Sequence, residues 1–266
     1  MNVRMARPAG ALLALGVLAA AGCGATGAGD RAPGKPAPAG PKEQLLGALP
    51  DRHTGAFHFR VRGGTQPMQG VLDAGNKAFR IDVSEKDPDL GFTLSMKFLV
   101  VDETTWMKVN FSGTEGLTGL PRLPKKWMLL DPSRIDDKDD APLEYDGETD
   151  PGEAGAVLRA IVDVRSTGPG TYAGTTDLTR QGEAGIVTDE VLRALGAKAK
   201  AVPFEATVDA QGRLTSTIVK VPAAGKTKPA DYAVTYDGYG TVESPSEPAP
   251  AEQQKATKDA YAMLNA

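Results

Sequence analysis

The sequence predicts an α+β domain built on one curved antiparallel sheet, with its helices covering one face of that sheet. Three observations predict it. Segment after segment alternates apolar and polar residues with the period of two that half-buried strands require. Turn signals such as Gly75-Asn76, Asp102-Glu103 and Asp209-Ala210-Gln211-Gly212 separate consecutive segments of this kind, as in hairpins. Helical periodicity is confined to short stretches, which favours a large sheet with few helices over alternating βα units.

At the N-terminus, Arg4 and Arg7 precede an apolar run from Ala9 to Ala21, and small residues lead into Cys23. This is the layout of a secretory signal peptide. The run is shorter than the roughly 20 residues that cross a bilayer. Ala20-Ala21-Gly22-Cys23 resembles a bacterial lipobox, with Ala20 where Leu is usual and Leu18 further back. Residues 1–22 are therefore expected to be removed. Cys23, the only cysteine, is expected to carry a diacylglyceryl group and to anchor the chain on the outer, extracytoplasmic face of the cell membrane. Residues 23–41, rich in Gly, Ala and Pro, read as the lipidated N-terminus and a disordered tether.

The folded domain is expected over 42–245. Leu45, Leu46 and Leu49 give one face of a short helix that stops at Pro50. Phe57–Arg62 alternates strictly, and Val71-Leu72 pairs with Phe79–Val83 across Gly75-Asn76. Phe92, Leu94, Met96, Phe98 and Val100 share one strand face. Strands at Thr105–Val109 and Trp127–Leu130 follow. Glu153–Val164 reads as a helix with Leu158, Ile161 and Val162 on one side, and Thr171–Leu178 as a strand. Thr188 is the expected N-cap of a second helix over Asp189–Gly196, with Val187 and Leu192 spaced for a hydrophobic staple. Phe204–Val208 and Leu214–Val219 form the clearest hairpin, and Tyr232–Tyr236 is a last strand. Residues 246–266 read as a Pro/Ala/Glu-rich tail outside the domain, with a marginal helix over Glu252–Leu264.

The 266-residue chain carries a formal charge of −4, which becomes −6 without Arg4 and Arg7. An acidic domain with scattered cations argues against nucleic acid and against a polybasic grip on anionic lipid. A lone cysteine rules out intrachain disulfides, so the fold must rest on its core. With two histidines, His53 and His58, and no G-x-S-x-G elbow, a His-dependent hydrolase has no visible frame. Zinc would need more His or Cys ligands. The run Asp136-Asp137-Lys138-Asp139-Asp140 lacks the Gly and distal Glu of an EF-hand and reads as a solvated acidic loop. No enzyme activity, cofactor or metal is expected.

Four stretches carry a family resemblance. They are Lys125–Pro132 (KKWMLLDP), Gly170–Leu178 (GTYAGTTDL), Pro203–Leu214 (PFEATVDAQGRL) and Val234–Gly240 (VTYDGYG). In order and content they resemble actinobacterial cell-envelope lipoproteins of the LppX/LprA/LprF/LprG group, which are similar in fold to the carrier LolA. The resemblance implies a strongly curved half-barrel whose helices cover the concave face, and a hydrophobic ligand, most simply a lipid, beneath them. Its candidate lining is Phe92, Leu94, Met96, Phe98, Trp106, Trp127, Leu158, Ile161, Val162, Leu192 and Leu195. The alternative is a surface lipoprotein whose concavity is filled by side chains and which serves an envelope protein partner as scaffold or sensor.

Overall fold

The structure is a computed structural model that describes residues 39–137, 141–182 and 184–265. The expected signal peptide, Cys23, the tether as far as residue 38 and residues 138–140 of the acidic run lie outside the described residues.

Among the described residues, twelve strands form one open sheet. Helix α1 (Pro41–Gly47) leads into β1 (Phe57–Arg62), β2 (Met68–Asp73), β3 (Ala78–Lys86), β4 (Thr93–Val101), β5 (Thr104–Ser112) and the short β6 (Trp127–Leu129). Next come α2 (Ala154–Arg159), β7 (Ile161–Gly168), β8 (Thr171–Thr176), α3 (Asp189–Leu195), β9 (Val202–Val208), β10 (Leu214–Val221) and β11 (Ala230–Asp237), then β12 (Gln253–Lys255) and α4 (Lys258–Leu264). The spatial order is β12-β6-β5-β4-β3-β2-β1-β11-β10-β9-β8-β7. Two meanders, β1 to β6 and β7 to β11, are thus joined where β1 pairs with β11.

Register puts one set of side chains on a single face, here the inner face. Directly opposed residues in a ladder point the same way. Val61 opposes Val234, which opposes Thr217, which opposes Ala206. In the other direction, Phe59 opposes Gly70, Gly70 opposes Ile81, and Ile81 opposes Phe98, which opposes Met107 and so reaches Met128. Glycine is required at position 70: a Cβ there would lie 2.8 Å from the Phe59 ring and 1.9 Å from the Arg80 carbonyl oxygen. Two apolar clusters share this face. The larger joins Phe57, Phe59, Leu72, Phe204, Val234 and Tyr236 to Leu45 of α1, Val157 and Leu158 of α2 and Leu195 of α3. The smaller joins Phe98, Met107, Val109 and Met128 to Ala260 and Tyr261 of α4.

The structure departs from the sequence expectations in three places. The expected helix over Glu153–Val164 ends at Arg159, and Ile161 begins an edge strand. Ile161, Val162 and Val164 are β-branched, with stiff χ1 that suits a strand better than a helix. The sheet is not wholly antiparallel, because β12 runs parallel to β6. The stretch 246–266, expected as a tail outside the domain, contributes that strand and α4. Trp106 Nε1 donates to Gln253 Oε1 at 2.7 Å, and the Asp131 amide donates to Tyr261 Oη at 2.8 Å. The Arg134 guanidinium lies 3.8 Å from the Tyr261 ring centroid. Each contact joins the tail to residues more than a hundred positions away, beyond the reach of local periodicity.

Tyr261→Ala should therefore destabilise the domain by about 3 kcal/mol, through lost ring burial and the orphaned Asp131 amide. Urea denaturation monitored by Trp106 and Trp127 fluorescence measures this. In limited proteolysis of the wild type, the segment after Pro245 should persist with the core.

Candidate functional site

Strand register sorts the expected lining residues into groups that do not meet. Leu94, Met96 and Phe98 alternate along β4 on the inner face, and Phe92 precedes them with its ring 6.1 Å from that of Phe111. Trp106 opposes Leu99 rather than Phe98, so it stands on the outer face. Leu129 opposes Trp106, which puts Trp127, two residues before Leu129, on that outer face as well. Trp127 is half-buried there, with Lys108 Nζ 5.7 Å from its ring centroid. Leu158, Ile161 and Leu195 belong to the larger cluster, with Leu192 packed against it. They are thus in a different cluster from Phe98, which belongs to the smaller one. Val162 follows Ile161 into the edge strand and is 59% exposed.

What remains together is a strip across β3, β4 and β5. Val83 opposes Met96, which opposes Val109, and Glu85 opposes Leu94, which opposes Phe111. Burial drops beyond Phe98 along this strip. Phe98 is 6% exposed, Met96, Leu94 and Phe92 are each half-buried, and Leu90 at the turn beyond them is 59% exposed. Leu94, Met96, Phe111 and Leu123 pack against the smaller cluster, and Ile81 and Met68 against the larger. The strip is thus the open junction between two filled clusters on one face. The rest of the inner face carries side chains such as Phe57, Leu158, Leu178 and Tyr236, which are almost wholly buried.

Two surface depressions lie elsewhere. One, of about 270 Å³, is lined by Asp51, His53, Thr54, Gly55, Arg213, Tyr239 and Gly240. The other, of about 230 Å³, is lined by residues of β7 to β10 that include Asp163, Arg165, Glu205 and Lys220. Neither includes a residue expected to line the cavity. Both histidines are exposed. His58 Nδ1 is 2.9 Å from Asp237 Oδ1, and His53 Nε2 accepts from Arg52 Nε at 3.3 Å. Among the described residues, no His, Cys, Asp and Glu group could hold a metal ion, and no helix is long and apolar enough to cross a membrane.

Periodicity gave no sign of a half-buried carboxylate behind the inner face. Asp150 accepts from the Ala154 amide at 3.1 Å and the Gly155 amide at 2.6 Å, so it caps α2 from outside the helix. The Tyr236 hydroxyl of β11 donates to the same carboxylate. Burial raises the Asp150 carboxyl to about 6, against these hydrogen bonds, which favour the charged form. Burial also raises the hydroxyl of Tyr232, which donates to the Gly152 carbonyl at 2.6 Å.

The folded state binds the Asp150 proton more tightly than the unfolded chain does, so protonation favours the fold. This stabilisation is complete below about pH 4 and is lost as pH rises through about 6, a change of roughly 3 kcal/mol at most. Asp150→Asn should remove that part of the pH dependence. The stability difference between wild type and variant, from denaturant titrations at a series of pH values, should change across that window and be flat above it.

A scan against protein-family models finds no match to this chain, and a search of curated proteins finds none either.

Proposed function

We propose that the chain is a membrane-anchored extracytoplasmic lipoprotein that binds a hydrophobic ligand, a lipid by chemistry, on the inner face at the β3–β5 strip. The observation that carries this reading is the drop in burial from Phe98 to the half-buried Met96, Leu94 and Phe92. A face filled elsewhere is left half-covered there, and its side chains are apolar. The lipobox-like stretch ending at Cys23 and the strand-and-turn resemblance to envelope lipoproteins support it. In this reading the sheet is a strongly curved half-barrel. Its concave side is the inner face, with α1, α2 and α3 over one half and α4 over the other. An acyl chain would lie between the halves, along Ile81, Met96 and Phe111. Each CH₂ withdrawn from water contributes about 0.8 kcal/mol. Transfer between a bilayer and such a strip is therefore near balance and reversible. The reading contains no reaction and no cofactor.

The larger cluster favours a second reading. Phe57, Leu158 and Tyr236 leave the inner face beneath α1 and α2 filled, as a scaffold or sensor for an envelope protein would require.

Met96→Trp separates the two. On the ligand reading, lipid extracted from the purified wild type is identifiable by mass spectrometry, and added fatty acid raises its melting temperature, because it binds only the folded state. The variant keeps its far-ultraviolet dichroism, takes up several-fold less fatty acid and loses the thermal shift. A wild type with no extractable lipid and no thermal shift, combined with a Met96→Trp loss of about 1–3 kcal/mol from overpacking, would leave the scaffold reading.

A further inference from the structure

The sheet ends at β7, which among the described residues pairs with β8 alone. Only Ile161 of this strand is buried. Its ladder with β8 is irregular between Ile161 and Asp163 and again between Ser166 and Gly168, so Asp163–Ser166 is the regular stretch. Lys42 Nζ of α1 donates to the Arg159 and Ile161 carbonyls at 3.0 and 3.3 Å and so occupies the start of the strand. Val164 opposes Gly174, which opposes Phe204 of the larger cluster, so Val164 faces inward. Asp163 and Arg165 therefore stand on the outer face. Both are exposed, beside the depression of about 230 Å³ that they line with Glu205 and Lys220. Among the described residues, neither has an ion pair or a side-chain hydrogen bond.

We propose that β7 pairs antiparallel with β7 of a second copy of this chain, with Val164 opposite Val164. An unpaired edge is a template for another strand, and natural edges are commonly blunted by proline, lysine or inward-pointing charge. β7 has no Pro and no Lys, and within its regular stretch only Val164 and Ser166 face inward. Charge identifies the occupant. Asp163 and Arg165 flank Val164 on one face with opposite signs, so the strand read backwards is its own complement. In this register each Asp163 lies opposite Arg165 of the second copy, and directly opposed residues point the same way. Slipping one strand by two residues sets Asp163 against Asp163 or Arg165 against Arg165, and like charges directly opposite are destabilising. Slipping it by one sets inner-face residues against outer-face ones. Val162, 59% exposed, comes to lie opposite Ser166 and is covered as well. Two identical edges paired in this way make an isologous contact that closes at two copies. The contact is short, so association is weak and depends on concentration. The proposal does not rest on the ligand reading, because β7 is at the sheet edge and the strip lies on β3 to β5.

The test is sedimentation equilibrium of the full chain carrying Cys23→Ser, which removes the only thiol. A density-matched mild detergent sequesters the apolar run over 9–21, and protein is varied from low to high micromolar. This parent should dimerise at the high end and dissociate on dilution. Arg165→Asp and Asp163→Arg should each weaken dimerisation by about tenfold or more, because each sets like charges opposite one another at two places. Mixing the two variants should restore pairing, since every opposed pair then carries opposite signs. The double exchange Asp163→Arg/Arg165→Asp within one chain should restore it too. Recovery on mixing also shows that both single variants fold. For the register, Val164→Cys in the parent should form an interchain disulfide on mild oxidation, and Val162→Cys should not. A parent that is monomeric throughout, a dimer that keeps its affinity in both single variants, no recovery on mixing or in the double exchange, an equal disulfide yield at 162 and 164, or growth beyond two copies would overturn the proposal.

Discussion

The antiparallel ladder between β1 and β11 holds the inner face together. It runs from His58–Asp237 to Arg62–Ala233 and, among the described residues, is the only pairing that joins the two meanders. Phe59 and Tyr236 meet directly across it, and Phe57 packs edge-on against Tyr236 at 5.6 Å between ring centroids. Remove that ladder and the larger cluster has no floor, since its residues come from both sides of the join. The strip on β3 to β5 depends on it indirectly. Gly70 leaves room for the Phe59 ring across β2, where Gly70 in turn opposes Ile81.

Tyrosine hydroxyls tie the outlying segments to that floor. Tyr232, Tyr236 and Tyr239 lie on or just after β11, and each ring is buried while its hydroxyl reaches a different part of the chain. Tyr232 bonds the Gly152 carbonyl, Tyr236 the Asp150 carboxylate, and Tyr239 the Leu214 carbonyl at 2.6 Å. Buried polar atoms need partners, so these bonds fix α2 and the β9–β10 hairpin against one strand. With aromatics at 6% of the residues, their concentration here explains how a sparse set of rings organises so large a sheet.

The sequence made local structure legible where chemistry acts over a few residues. The alternation in Phe57–Arg62 reappears as strict burial on one side. The hairpin after Val208 turns where Asp209 Oδ1 accepts from the Gln211 and Arg213 amides, and Thr188 caps α3 through the Val191 amide. Residues such as Leu94 and Phe98 could be placed on one face of their strand from period two alone. Two residues on different strands could not, because a face is shared only once register is known, and a shift of one residue exchanges the faces. That is why Trp106 and Trp127 seemed to belong with Phe98. Asp150 was illegible for a similar reason: one of its three donors, the Tyr236 hydroxyl, lies 86 positions away.

The order of strands has a consequence for synthesis. β1, the first strand made, finds its neighbour β11 only at residues 230–237, and β6 receives β12 only at 253–255. A ribosome or a translocation pore releases the chain from its N-terminus. Neither the join of the two meanders nor the β6 edge can be completed until residues 230–237 and 253–255 emerge. Strands β1 to β6 can pair with one another as they emerge, but the larger cluster, whose residues come from both sides of the join, closes only after β11.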